Sequence, residues 1–81
     1  MLPTVGRTVH FYTKDKSKHF NGQGEGPYAA VVTQTFGGML AYLKVLPGFA
    51  DPYDAGSVDF APDDPVVRQV AGQFWVWPPR D

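Results

Sequence analysis

Read as a pattern of apolar and polar positions, the chain is a series of short alternating runs separated by clusters of glycine and proline. Alternation with a period of two places successive side chains on opposite faces of a strand, so each run predicts a half-buried β-strand. In the first run, Arg7-Thr8-Val9-His10-Phe11-Tyr12-Thr13, Val9 and Phe11 share the inward face while Thr8, His10 and Tyr12 point outward. The next two runs, over 28–36 and 39–46, form a hairpin around Phe36-Gly37-Gly38-Met39, whose glycines can take the positive φ angles of a two-residue primed turn. Such a turn opposes Phe36 to Met39, Gln34 to Ala41, Val32 to Leu43 and Ala30 to Val45, nearly all apolar and therefore the core side. Slipping this register by one residue would bury Lys44 and expose Leu43, so pattern and turn chemistry agree.

The later chain is read in the same way. Pro47 to Gly56 is turn-rich, with Phe49 and Tyr53 expected to fold back over one end of the sheet. Ser57-Val58-Asp59-Phe60-Ala61 alternates again and predicts a fourth strand with Val58 and Phe60 inward. Asp64 before Pro65 predicts a helix N-cap with proline in the first position, followed by one short helical turn that Gly72 stops. Gln73 to Trp77 is the last strand, ended by Pro78-Pro79. Between the first two strands, residues 14–27 are polar and glycine-rich, a long loop. Its glycines at 22, 24 and 26 precede a proline and a strand instead of a helix, so they are read as flexibility and not as a phosphate cradle.

Five short strands, a tight hairpin, a long first loop and one helical turn predict an all-β fold, a small five-stranded SH3-like barrel, with an OB-like barrel as the alternative. Eighty-one residues make one domain, 1–81. A chain of that size buries only about 60–65% of the surface its unfolded form exposes. Cysteine is absent, which excludes a disulfide framework, a thiolate metal site and a cysteine nucleophile. No apolar run approaches the roughly 20 residues that span a bilayer and no leader pattern is evident, so a soluble protein in the cytoplasm, with no membrane partner, is expected.

Net charge is −1, which gives no overall attraction to nucleic acid. Residues 1–45 carry a net +3 and residues 46–81 a net −4, a polarity that either orients neighbouring subunits or merely marks two solvated faces. His10 and His19, with Asp15 between them, lack the close spacing that preorganises a metal site. Aspartates 51, 54, 59, 63 and 64 are interrupted by prolines and read as turn formers and caps, not calcium ligands. Neither of the two serines sits in a nucleophile elbow. No enzyme, no metal and no cofactor is therefore expected.

Two binding surfaces remain. The last strand is apolar on both faces, Trp75 and Trp77 on one and Phe74 and Val76 on the other, more than a small barrel with one interior needs. Tryptophan anchors many protein contacts, so Phe74, Trp75 and Trp77, with Tyr42 and Tyr53, are the candidate surface for a protein partner or self-association. The alternative is single-stranded nucleic acid, with Lys14, Lys16 and Lys18 contacting phosphates and His10, Tyr12 and Phe20 supplying rings.

The ending Trp75-Val76-Trp77-Pro78-Pro79-Arg80, the early Val9-His10-Phe11-Tyr12 and the middle Ala30-Val31-Val32-Thr33 resemble a group of small uncharacterised proteins of tailed phages and prophages. That group runs as a V-H-Y-like first strand, an A-I-V-T-like second and a W-x-W-P tail. The chain departs from it in the long Lys/Gly loop and in Val76, where the group commonly has histidine. The resemblance implies a bacteriophage context and a non-enzymatic accessory or minor virion role, in the cytoplasm of a bacterial host or on the virion. It transfers no catalytic residue.

Overall fold

The computed structural model describes residues 2–20 and 22–79. Five strands form one antiparallel sheet: β1 (Thr8–Thr13), β2 (Tyr28–Thr35), β3 (Ala41–Leu46), β4 (Tyr53–Val58) and β5 (Gln73–Val76), in the order β4-β3-β2-β1-β5. The first four strands follow one another as a meander and β5 returns to pair with β1, the SH3-like order, with no Greek-key crossing of the OB kind. The sheet curls until β5 meets the chain leaving β4. There the Trp75 amide donates to the Asp59 carbonyl and the Ala61 amide to the Trp75 carbonyl, both at 3.1 Å.

The core follows from the alternation. Val9 and Phe11 of β1, Ala30 and Val32 of β2, Ala41, Leu43 and Val45 of β3, Val58 and Trp75 are all buried, as is Tyr28. A smaller cluster of Phe74, Val76 and Ala61, with Tyr12 and Ala71 packed against it, lies on the outer side of β5.

Several expected details change, each for a local reason. The hairpin keeps the expected register from Ala29 opposite Leu46 through Val32 opposite Leu43, then shifts so that Gln34 faces Tyr42 and Thr35 faces Ala41. Thr33 is the extra residue, and its hydroxyl donates to the Tyr42 carbonyl at 3.1 Å. Of the two central glycines only Gly37 has a positive φ, at 88°, whereas the primed two-residue turn needs it at both positions. The connection therefore widens to residues 36–40, Phe36 is left exposed and Met39 is freed to present its carbonyl to the indole of Trp75. The fourth strand starts four residues earlier than 57–61, because Tyr53 and Asp54 already pair with Val45 and Lys44 across a bulge. Phe49 does not fold back: it sits at φ 57° in the turn after β3 and is fully exposed.

The described residues of the long loop are held by hydrogen bonds. Asp15 caps a single 3-10 turn over Lys16–Lys18, and His19 bonds through Nε2 to the Thr13 carbonyl at 2.8 Å. The buried Tyr28 hydroxyl accepts from the Phe20 amide at 2.9 Å and donates to the Gly24 carbonyl at 2.6 Å. The hydroxyl and amide of Ser17 both donate to Asp15 and hold its carboxyl below the usual aspartate range.

The helical turn, α1 (Pro65–Val70), is capped at both ends. Asp64 accepts from the Val66 amide at 2.9 Å, and Lys14 Nζ donates to the carbonyls of Arg68 and Ala71 at 2.7 and 2.6 Å. This lysine ties the first loop to the helix end, where a cation also meets the negative end of the helix dipole. Lys14→Met is expected to lower stability by about 0.5–1.5 kcal/mol, read by urea denaturation; an unchanged midpoint would mean the lysine is solvated instead. Lys44 of the basic half lies 3.7 Å from Asp54 of the acidic half, and Arg68 lies 3.8 Å from Asp63 within the acidic half. No helix among the described residues is long and apolar enough to cross a membrane.

Candidate interaction groove

The outer faces of β1 and β5 carry a group of aromatic and polar side chains. Cross-strand pairing sets His10 opposite Val76 and Tyr12 opposite Phe74. Tyr12 stacks on Phe74 with ring centres 5.0 Å apart and planes 15° from parallel. The α1 segment overhangs this face with its polarity reversed: Arg68 turns inward, its guanidinium 5.9 Å from the Phe74 ring centre and its Nε donating to the Pro62 carbonyl at 3.0 Å. The three valines 66, 67 and 70 face solvent.

Between the helix and the strands runs a groove of about 350 Å³, at the small end of ligand-binding clefts. His10, Tyr12 and Val76 line it from the sheet, Arg68 and Asp63 from the helical segment, and Pro27, Trp77 and Pro79 from the flanking chain. Trp77 is half-buried. Its ring meets Trp75 edge-on at 5.0 Å, and the guanidinium of Arg7 lies 5.4 Å from its centre. Among the described residues, the His10 ring, the Tyr12 hydroxyl and the Trp77 indole make no hydrogen bond, whereas Tyr28, His19 and Trp75 are all engaged.

The expected protein-contact residues do not form one surface. Trp75 is wholly buried, its Nε1 donating to the Met39 carbonyl at 3.0 Å, and belongs to the core instead of a contact face. Phe74 is 7% exposed beneath Tyr12 and Arg68. Trp77 lines the groove, Tyr42 lies on β3 beside the Thr33 bulge, and Tyr53 is at the start of β4 against Phe20. Of the nucleic-acid set, only His10 and Tyr12 share the groove. Phe20 packs on Tyr28 and Tyr53, Lys14 is spent on the helix end, and Lys18 Nζ sits 4.7 Å from the Tyr53 ring centre. Lys16 is exposed on the 3-10 turn. Among the described residues no group of three histidine, aspartate or glutamate side chains converges to hold a metal.

Pro27, Asp63, Arg68, Val76 and Pro79 were not expected at the site. The signal for Arg68 is its place as the one charged side chain in a turn otherwise rich in valine, which marks it as facing differently from them.

Tyr53 carries a separate consequence. Its hydroxyl is buried without a partner among the described residues, and burial, followed by the neighbouring Tyr28 and Asp15, raises its pKa above the ordinary 10.0. A raised tyrosine contributes stability that is fully present below its unfolded value and is lost as pH rises from about 10 through the folded value. Tyr53→Phe is therefore expected to raise stability by up to about 1 kcal/mol at neutral pH and to flatten the loss above pH 10. Thermal unfolding at pH 7 and pH 11 checks both; a lower melting temperature in the variant at pH 7 would show that the hydroxyl is satisfied in solution.

No family model, no curated protein and no solved structure matches the chain.

Proposed function

We propose that this barrel is a non-enzymatic interaction module whose contact surface is the groove between β1, β5 and the α1 segment, and that the partner is a protein. The observation that carries the reading is the set of three ring side chains, His10, Tyr12 and Trp77, that line one groove with their polar ends unengaged by the rest of the described chain. Elsewhere His19, Tyr28 and Trp75 are tied to backbone carbonyls, and the hydroxyls of Tyr42 and Tyr53, unpartnered among the described residues, stand singly, so the groove is where unengaged ring groups gather. Arg68, drawn inward over Phe74, adds the residue type enriched with tyrosine and tryptophan at interface anchors. The likeness to small tailed-phage and prophage proteins supports a phage accessory or minor virion role, exercised in the bacterial cytoplasm or on the particle.

The test is affinity capture from infected or lysogenic cells with three proteins compared. A partner is expected with wild type and with Phe36→Ser, which changes an exposed ring in the β2–β3 connection outside the groove. It should be lost with His10→Glu, which removes a ring and sets an acceptor-only carboxylate among the groove's donors. Capture that survives His10→Glu, or that Phe36→Ser abolishes, moves the contact off this surface.

A further inference from the structure

We infer, resting on the groove as the contact surface, that its occupant is a short proline-rich segment of a partner held in the polyproline II conformation. The floor of the groove decides against a β-strand. Its residues come from β1, which has β2 on one side and β5 on the other, and β5 is itself occupied at Trp75 by the Asp59 and Ala61 backbone. The groove floor is thus a sheet face, and the far edge of β5 is bonded at its centre, so no continuous ladder edge faces the groove for a peptide to add to as a further strand. Binding must come from side chains. Tyr12, His10 and Trp77 can each donate a hydrogen bond, Pro27 and Pro79 have no N–H, and the Pro27 carbonyl is already taken by Gln23 Nε2 at 3.0 Å. Asp63, the one carboxylate, lies 3.8 Å from Arg68 at the exposed rim of the groove and is turned to solvent, away from its floor.

A wall of rings and donors calls for a ligand that is apolar, rich in acceptors and poor in donors. Proline-rich chain meets this description. Its carbonyls make no internal hydrogen bonds, most of its amides carry no hydrogen, and its extended form is largely fixed before binding. The volume suits one turn of such a helix, about 3 residues over roughly 9 Å. Size also argues against a second copy as the occupant: the apolar surface beside the groove is three valines on a six-residue helix. That is at most a few hundred Å², against about 800 Å² per partner in a stable interface.

The test is ¹⁵N-correlation NMR of the whole chain titrated with decaproline, with an uncharged decapeptide alternating alanine and serine, and with an eight-residue oligothymidylate. Decaproline is expected to move the Trp77 indole and the His10 and Val76 amides, and to leave the Trp75 indole, held by Met39, in place. Tyr12→Phe retains the ring on Phe74 and should weaken decaproline binding by roughly 3–10-fold through one lost hydrogen bond, while Tyr42→Phe, outside the groove, leaves it unchanged. If the alanine–serine peptide moves the same resonances as strongly, the proline assignment fails and the groove stands as a general peptide site. Oligothymidylate shifts without decaproline shifts would replace the ligand class with nucleic acid. If no probe perturbs the groove and the His10→Glu variant retains its captured partner, the proposal and the functional reading fall together.

Discussion

Trp75→Ala is expected to cost about 3–5 kcal/mol, which for a chain of 81 residues is most of the roughly 4–12 kcal/mol that a domain of this size holds. The magnitude follows from three roles at one position. The indole is wholly buried among Phe60, Trp77 and the inner faces of the strands, with ring centres 5.0 Å away on both sides. Its Nε1 satisfies the Met39 carbonyl, so truncation also leaves an acceptor unmet at the turn end of the hairpin. Its backbone joins β5 to residues 59–61, closing the curl of the sheet. Alanine retains only the last role, without the ring that holds the segments together. Trp75→Phe fills much of the space and loses the hydrogen bond, so its cost should be nearer 1–3 kcal/mol, roughly that of an unsatisfied buried acceptor. Urea denaturation followed by circular dichroism separates the two. An alanine variant within about 1 kcal/mol of wild type, less than one ordinary core truncation, would mean that the barrel does not close on this ring.

The strands were legible because a small barrel has one inside, and alternation records it. Val9, Phe11, Ala30, Val32, Leu43, Val45 and Val58 are buried where the period of two puts them. The helix start was legible because Asp64 before Pro65 is a local arrangement that needs no tertiary context. What escaped depended on contacts distant in sequence. The β2–β3 connection is wider than a two-residue turn, and the Met39 carbonyl it presents is met by a tryptophan 36 residues later, which no feature within the hairpin announces. The loop over 14–27 looks flexible by composition, yet its described residues are held by Tyr28 and by Lys14 reaching the helix end. The last strand is apolar on both faces because both are covered within the chain: Trp75 enters the barrel interior, and Phe74 and Val76 form a second buried cluster with Ala61 under Tyr12, Ala71 and Arg68. Only Trp77 and the outward β1 residues of the expected surfaces meet at the groove, because its other wall comes from a helical turn whose inward face is its charged one.

Gly26→Ala is the substitution expected to damage fold and groove together, by about 2–5 kcal/mol when backbone strain and overpacking are combined. Gly26 sits at φ 136°, a region closed to residues with a side chain, and a Cβ there would lie 2.7 Å from the Phe11 carbonyl and 3.3 Å from the Tyr28 amide. Those two atoms cannot easily withdraw, because Phe11 and Tyr28 are directly paired between β1 and β2 and both side chains are in the core. The third neighbour, Tyr12 Cδ2 at 3.1 Å, can move, and moving it breaks the stack on Phe74 and displaces a groove wall. A variant that still folds should therefore show altered resonances for Tyr12 and Phe74 and weakened binding of any groove ligand. Gly38→Ala is the matched control: its φ is not positive and a Cβ there meets no atom within 4 Å, so it should stay within about 0.5 kcal/mol of wild type, as surface changes usually do. Equal melting temperatures for the two variants would show that the first loop does not approach β1 closely enough to set the position of Tyr12. A large drop confined to Gly26→Ala would place the groove's geometry under the control of one glycine whose spacing with Gly22 and Gly24 reads only as flexibility.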